Sequence, residues 1–257
     1  MGEQVTTRVI RVRRHFAVAL VTVVAMVSGI ESAAAQFYVR SPDVEKGDFK
    51  LEEHGAIYSG PGEHERRRQT HELEAKYGFT ERFEGIVEQT FRQNIGDDLK
   101  AHRFEIGGQY ELVERHGDGL GLAFRTLYEF ALQDGDPDEI LFGPLAKYVW
   151  GQDSITVNTF FIGQVGDDVD IDSLELKVNW RFKHEFNEKW GIGVEGYSEF
   201  EDLSHAGSWD DQKHRIGPVA YLELEGMPDW EFAAGTLFGL SDAASDVTFK
   251  FDAEIAF

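Results

Sequence analysis

The chain has 257 residues, with 47 acidic and 25 basic side chains, a formal net charge of −22 and no cysteine. This charge excludes a nucleic-acid-binding protein, which presents a basic face to phosphate, and the lack of cysteine excludes disulfides and a cysteine-linked lipid anchor. The length suits one large domain or one barrel, and an aromatic content of 13% argues against disorder.

The N-terminus has the pattern of a secretory signal peptide. Four arginines between Arg8 and Arg14 precede the apolar run "FAVALVTVVAMVSGI", and small residues ending at Ala35 follow it. A basic region, a short apolar run and an A-x-A site are typical of an export leader, and the run is shorter than the roughly 18–20 residues of a membrane-spanning helix. We predict a signal peptide at 1–35, export through the Sec pathway, a loose periplasmic leader at 36–46 and a barrel at 47–257.

Alternation of apolar and polar residues recurs along the rest of the chain, which predicts β-strands. The segment at 173–186 alternates over more than twice the roughly 5–6 residues of an average strand. Seven clear strands and five weaker candidates give a total of 12. The clear ones lie near 102–112, 120–132, 173–186, 190–200, 215–224, 230–240 and 247–257, and the weaker ones near 47–59, 69–79, 82–93, 138–150 and 153–166.

The connections between these strands are of two alternating kinds. Five are short, such as "GFTER" (78–82) and "FNEK" (186–189), and those between them are mostly acidic, such as "DGDPDE" (134–139). This alternation predicts that the chain runs up and down with its acidic loops at one end. Pro144 and Pro218 weaken their two strands, because proline donates no hydrogen bond to a central ladder.

Long alternating strands, an even strand number and aromatic residues near strand ends are features of outer-membrane barrels. A strand that spans a membrane needs about 9–11 residues, and a closed barrel pairs every backbone group. We therefore predict an all-β, transmembrane, up-and-down antiparallel β-barrel of about 12 strands in the bacterial outer membrane. The alternative is a soluble periplasmic sandwich or lipocalin-like barrel whose apolar face points inward.

The last residues, "VTFKFDAEIAF", alternate strictly and end in an aromatic residue. They resemble the C-terminal targeting strand of bacterial outer-membrane barrels, which typically ends in Phe and is read by the barrel-assembly machinery. The segment "KYGFTERFEG" (76–85) also resembles the strand-turn-strand units of small transporter-like barrels, such as the MetA-pathway phenol-degradation family. The assembly signal that the first resemblance implies consists of Phe249, Phe251, Ile255 and Phe257.

The polar faces of the predicted strands would line the interior of the barrel. They could form a water-filled pore, in which charges set ion selectivity, or a lattice of cross-strand ion pairs that nearly blocks the lumen. Twelve strands lie between filled eight-stranded barrels and open channels of sixteen or more, so both interpretations stand. The acidic excess predicts a narrow channel or transporter for small, preferentially cationic solutes. The predicted lumen-lining residues are Arg103, Glu105, Arg125, Glu129, Glu175, Lys177, Arg181, Glu195, Glu199, Arg215, Glu223, Lys250, Asp252 and Glu254.

Catalytic and metal-binding motifs are incomplete in this sequence. Ser204-His205 are adjacent without a recognisable third partner, although a triad needs three positioned groups. The run D-x-D-x-D at 134–138 starts like a calcium loop, but the sixth and twelfth positions are Glu139 and Leu145 instead of Gly and Glu. We predict no enzyme, metal or cofactor, with a lipid-modifying enzyme as the less favoured alternative. The expected partners are outer-membrane lipid, lipopolysaccharide, the barrel-assembly machinery and small solutes.

Overall fold

The computed structural model describes residues 37–60, 67–166, 174–205, 207–226 and 228–257. They form a closed barrel in which each antiparallel strand pairs with its neighbours in chain order and the last pairs with the first. This confirms the predicted 12-stranded up-and-down barrel, while the predicted signal peptide lies outside the described residues. The strands are β1 (Phe49–Ser59), β2 (Arg67–Gly78), β3 (Phe83–Asn94), β4 (Lys100–Val113), β5 (Gly119–Ala131), β6 (Asp138–Trp150), β7 (Asp153–Val165), β8 (Leu174–Glu185), β9 (Trp190–Phe200), β10 (Lys213–Leu224), β11 (Asp229–Gly239) and β12 (Val247–Ala256).

The two ends of the barrel differ as the connections predicted. Short turns lie at the end where β1 begins and β12 finishes, which we call the terminal end. The mostly acidic connections lie at the opposite end, the loop end, and one of them carries a 3₁₀ helix at Trp209–Asp211. Within the described ranges, no helix is long and apolar enough to cross a membrane.

Strand alternation turns apolar side chains outward and charged side chains inward. In β4, Ile106 and Tyr110 are 47% and 49% exposed, whereas Glu105 and Gln109 on the opposite face are 5% and 1% exposed. A soluble barrel would show the reverse arrangement. An apolar exterior around a polar interior is the arrangement of a membrane barrel, so the soluble alternative does not fit this structure.

Aromatic side chains gather on the exterior near the terminal end. Trp150 and Trp190, at the ends of β6 and β9, are 40% and 53% exposed. The ring of Trp150 lies 5.7 Å from that of Tyr148 and 6.2 Å from that of Phe182. Tryptophan and tyrosine are enriched where a membrane meets water, so these rings mark one membrane interface.

Two Gly-Pro pairs explain how β6 and β10 accommodate their prolines. Pro144 pairs with β5 but lies in a gap of the β6–β7 ladder, and Pro218 pairs with β9 but lies in a gap of the β10–β11 ladder. A Cβ added to Gly143 or Gly217 would lie 1.8 or 1.9 Å from a carbonyl oxygen of the next strand. Each glycine therefore permits a close backbone approach beside the missing hydrogen bond.

Candidate functional site in the barrel lumen

Residues 37–43, which we call the N-terminal segment, lie inside the barrel. Phe37 and Val39 are 5% and 0% exposed and cluster with Tyr197 and Leu237 of the barrel wall. The rings of Phe37 and Tyr197 meet edge to face at 5.1 Å. Within the predicted leader at 36–46, residues 37–43 are therefore not loose, because this stretch buries apolar side chains against the inner wall.

Side-chain amides of the barrel hold the backbone of the N-terminal segment. The Arg40 N–H donates to Asn158 Oδ1 at 2.7 Å, and Asn158 Nδ2 donates back to the Arg40 carbonyl at 2.9 Å. Asn179 and Gln109 donate to the carbonyls of Tyr38 and Ser41 at 3.3 and 3.1 Å. Buried backbone groups need partners, and these amides supply them where no strand ladder is available.

Two charged residues fix the N-terminal segment at separate points. Arg40 Nη2 lies between the carboxylates of two adjacent strands, β2 and β3. Nearer the terminal end, Asp43 Oδ2 accepts from Lys147 Nζ at 2.8 Å and from Arg115 Nη2 at 3.1 Å. Partial burial opposes ionisation of Asp43, but the Lys147 charge and the two hydrogen bonds prevail and lower its pKa to about 2.

The carboxylates around Arg40 form a tight, buried cluster. One oxygen each of Glu72, Glu74 and Glu88 lies within 4.8 Å of the others, and all three residues are at most 5% exposed. Arg125 of β5 hydrogen-bonds Glu74 and also Glu88, the latter at 2.9 Å. Three such carboxylates repel one another, so this arrangement depends on the cations placed among them.

The N-terminal segment separates two cavities of the lumen. The loop-end cavity, of about 250 Å³, is lined by residues that include some near the loop end. The terminal-end cavity, of about 290 Å³, is lined by residues that include some near the terminal end. Tyr38 lines both cavities and therefore forms part of the wall between them. The lining of the first contains eight acidic and six basic residues, and that of the second contains seven acidic and five basic residues.

A second set of ion pairs crosses the wall at β9, β12 and β1. Lys250 Nζ lies 2.6 Å from Glu195 and 2.8 Å from Asp252. His54 contacts Asp252 through Nδ1 at 3.2 Å and Glu52 through Nε2 at 3.1 Å. The Tyr38 ring stacks on His54 at 3.8 Å, so this lattice also supports the N-terminal segment.

All 14 residues predicted to line the lumen lie on the inner face of the barrel. Most line one of the two cavities, and three are packed within the wall, where their side chains contact other inner-face groups or the N-terminal segment. The loop-end cavity is lined by Arg103, Glu105, Arg125, Glu129, Glu175, Lys177 and Glu199, the terminal-end cavity by Arg181, Glu223, Asp252 and Glu254, and the packed residues are Glu195, Arg215 and Lys250.

The residues of the predicted assembly signal lie on β12 beside the seam with β1. Phe249 is 50% exposed on the exterior, whereas Ile255 is 1% exposed. The Phe257 N–H donates to the Phe49 carbonyl at 3.0 Å, and the two rings lie 5.9 Å apart. Phe251, two residues after Phe249 on β12, places its ring over Gly55 of β1. These contacts join the two ends of the barrel, and the role of the strand in assembly stays a prediction.

The serine and histidine of the loop at 201–212 do not form a catalytic relay. Ser204 Oγ and Asp202 Oδ2 both approach the same nitrogen of His205, Nδ1, at 2.8 and 3.2 Å. In a triad the serine and the acid use different ring nitrogens. In the other candidate motif, Asp138 accepts from Tyr128 Oη and from the Ala131 N–H at 2.9 Å each, which stabilises the strand ends.

The similarity to one solved structure, the NanC porin, supports the fold. The NanC porin matches with a TM-score of 0.52 and 10% identity, covering 80% of this chain and 98% of that one. Omp33 of Acinetobacter baumannii matches with a TM-score of 0.49 and 11% identity, covering 82% and 99%. No protein-family model and no curated protein matches the sequence. The closed barrel, apolar exterior and polar lumen are those of a β-barrel of the bacterial outer membrane, the fold class that the sequence predicted.

Proposed function

We propose that this protein is a narrow outer-membrane channel for small solutes, that it prefers cations, and that the N-terminal segment closes it in the state described. The observation that carries the proposal is the excess of acidic over basic residues in both cavities, eight to six and seven to five. A polar lumen with one prevailing sign of charge attracts ions of the other sign.

The lumen charges should outweigh the loop charges in setting this preference. Low-dielectric walls focus the field of charges inside a narrow cleft. Exposed charges are screened beyond about 8–10 Å at physiological salt, whereas buried charges are screened less. Carboxylates of the cavity walls, more than those of the acidic loops, should therefore determine which ions pass.

A structural barrel without transport is the second candidate. The buried Lys250–Glu195 pair and the docked Arg40 favour it, because buried ion pairs of this kind are expected of a barrel whose inner charges hold the structure together. The two candidates differ in one respect: a channel conducts once the N-terminal segment is removed, whereas a structural barrel stays closed.

Reversal potentials in a potassium chloride gradient test the cation preference, in a variant whose mature chain begins at Val44. Replacing Glu175 and Glu231, one from each cavity lining, by Gln should weaken the preference. The matched control replaces the exposed loop residues Asp97 and Asp98 by Asn. It also removes two carboxylates, but it should change the cation preference less. Anion preference in the unsubstituted variant, or equal effects of the two pairs, would contradict the proposal.

A further inference from the structure

The carboxylates of Glu72, Glu74 and Glu88 hold a cation that belongs to the N-terminal segment and not to the barrel wall. Arg40 Nη2 lies 2.5, 3.3 and 3.0 Å from oxygens of these three residues. The wall supplies Arg125 and, through a 3.5 Å contact to Glu74, Lys76. If Arg40 left, three buried carboxylates would lose one cation and keep Arg125 and Lys76, the second of which also binds Glu52.

The contact pattern of Arg40 shows what the carboxylates recognise. A guanidinium group usually binds a carboxylate with two parallel N–H groups. Here one nitrogen, Nη2, makes the contacts to all three carboxylates, while the buried Nη1 has no hydrogen-bond partner. One positively charged nitrogen among three acceptors is the arrangement that suits a primary ammonium group, which has three N–H donors on a compact charge.

The cluster borders the loop-end cavity. Glu72, Glu88, Arg40 and Arg125 all line the loop-end cavity of about 250 Å³. One water occupies about 30 Å³ of liquid, so this cavity has room for a small amine with several waters. The acidic residues of the lining should raise the local concentration of cations.

We propose that Glu72, Glu74 and Glu88 form a binding site for the primary ammonium group of a small solute, and that Arg40 is a built-in occupant which the solute replaces. The inference rests on the proposed channel function and names the solute class for it. Leaving a buried carboxylate cluster without its cation is costly, so replacement by another cation is favoured over departure of Arg40 alone. A solute that binds only the vacated site shifts the equilibrium towards the undocked N-terminal segment.

Binding of methylammonium to the full mature protein in detergent micelles, followed by NMR line broadening, tests the site directly. In R40A the occupant is absent, so methylammonium should bind at least tenfold more tightly than to the unsubstituted protein. D43N is the matched control, because it weakens the other anchor and leaves Arg40 in place, and it should give a much smaller change. Tetramethylammonium has the same charge without N–H donors and should bind R40A at least tenfold more weakly than methylammonium does.

Removing two of the acceptors completes the test. On the R40A background, E72Q/E88Q should abolish methylammonium binding. Equal binding of tetramethylammonium, binding that survives E72Q/E88Q, or tighter binding of Ca²⁺ than of methylammonium would overturn the inference, the last by defining a divalent-metal site. If methylammonium binds to an R40A barrel that carries no current, the ammonium site would be supported and the proposed channel function rejected. Conductance without such binding would keep the channel and reject the site.

Discussion

Arg40 links the N-terminal segment to the wall of the barrel through buried charge. Arg40 is 8% exposed, and its three carboxylate partners are at most 5% exposed. Removing one partner of a buried ion pair costs about 3–5 kcal/mol, because the remaining charge is left uncompensated. The docked state should therefore depend on a positive charge at this position more than on the rest of the arginine side chain.

Substitutions of Arg40 separate charge from shape. R40K keeps one charged nitrogen, so the lumen should stay largely closed, whereas R40Q removes the charge and should open it. Channel-open probability in planar bilayers measures the difference, which we expect to be at least tenfold. Equal closure of R40Q and the unsubstituted protein would show that Arg40 does not hold the N-terminal segment.

Asp43 makes docking of the N-terminal segment sensitive to acid. Its pKa is lowered from 3.8 to about 2 by Lys147 and Arg115, against the opposing effect of burial. A lowered pKa in the docked state means that the contribution is complete above about pH 4 and is lost as the pH falls towards 2. Near neutral pH this contribution should stay unchanged.

Acid titration of the open probability between pH 5 and pH 2.5 measures this contribution. The unsubstituted protein should open progressively below pH 4. In D43N the titrating group is absent, so the open probability should start higher at pH 5 and rise less on acidification. The same acid response in both proteins would assign the effect to carboxylates other than Asp43.

The strands differ in how clearly apolar and polar residues alternate in their sequences. β4, β8 and β12 alternate clearly because an apolar exterior faces a charged interior along their length. β6 and β7 alternated poorly for a structural reason: their inner face carries Leu145 and Phe160, which are 0% and 4% exposed and pack with Ala123. Apolar residues on both faces hide the period of two. The strand bounds were nevertheless predictable from the turn at 151–152.

The N-terminal segment could not be predicted in its docked form. Its apolar residues gave no long alternation, and its partners Asn158 and Gln109 lie far away in sequence, on β7 and β4. Strand alternation predicts which way a side chain points, but not what lies against it. The inward positions of Arg125 and Lys250 were therefore predictable, whereas the segment that lies against the inner wall was not.

Asn158 should matter more than Asn179 for docking of the N-terminal segment. Asn158 makes two hydrogen bonds with the backbone of Arg40, and Asn179 makes one longer bond with Tyr38. A hydrogen bond contributes about 0.5–1.5 kcal/mol net, so N158L should raise the open probability several-fold and N179L less. Bilayer recordings of the two isosteric variants provide the comparison. A larger effect of N179L would contradict the amide contacts described.

Phe257 directly follows β12, the strand that closes the barrel. The predicted role of this strand in recognition by the barrel-assembly machinery implies that deletion of Phe257 reduces the amount of folded protein in the outer membrane of cells. Deletion also removes its hydrogen bond and ring contact with Phe49, so refolding of the purified variant into micelles serves as the control. Poor assembly in cells with normal refolding supports the signal, and normal assembly in cells would exclude it.

At the scale of the whole molecule, the fold joins two surfaces of opposite character. The exterior exposes large apolar residues to lipid, while the interior buries a network of ion pairs around a segment of the same chain. That segment lies across the lumen, and its Tyr38 lines the cavity on either side of it. We therefore propose that residues 37–43 close the lumen and that the barrel behind them conducts.

Single-channel recording tests this assignment most directly. The protein beginning at Gln36, the predicted mature N-terminus, and the variant beginning at Val44 should be refolded and compared in planar bilayers under the same potassium chloride gradient. We predict that the complete mature protein is mostly closed and that the shortened protein shows steady, cation-preferring conductance. A shortened protein that folds into the same barrel but carries no current would contradict the account, because the barrel itself would then be the obstruction.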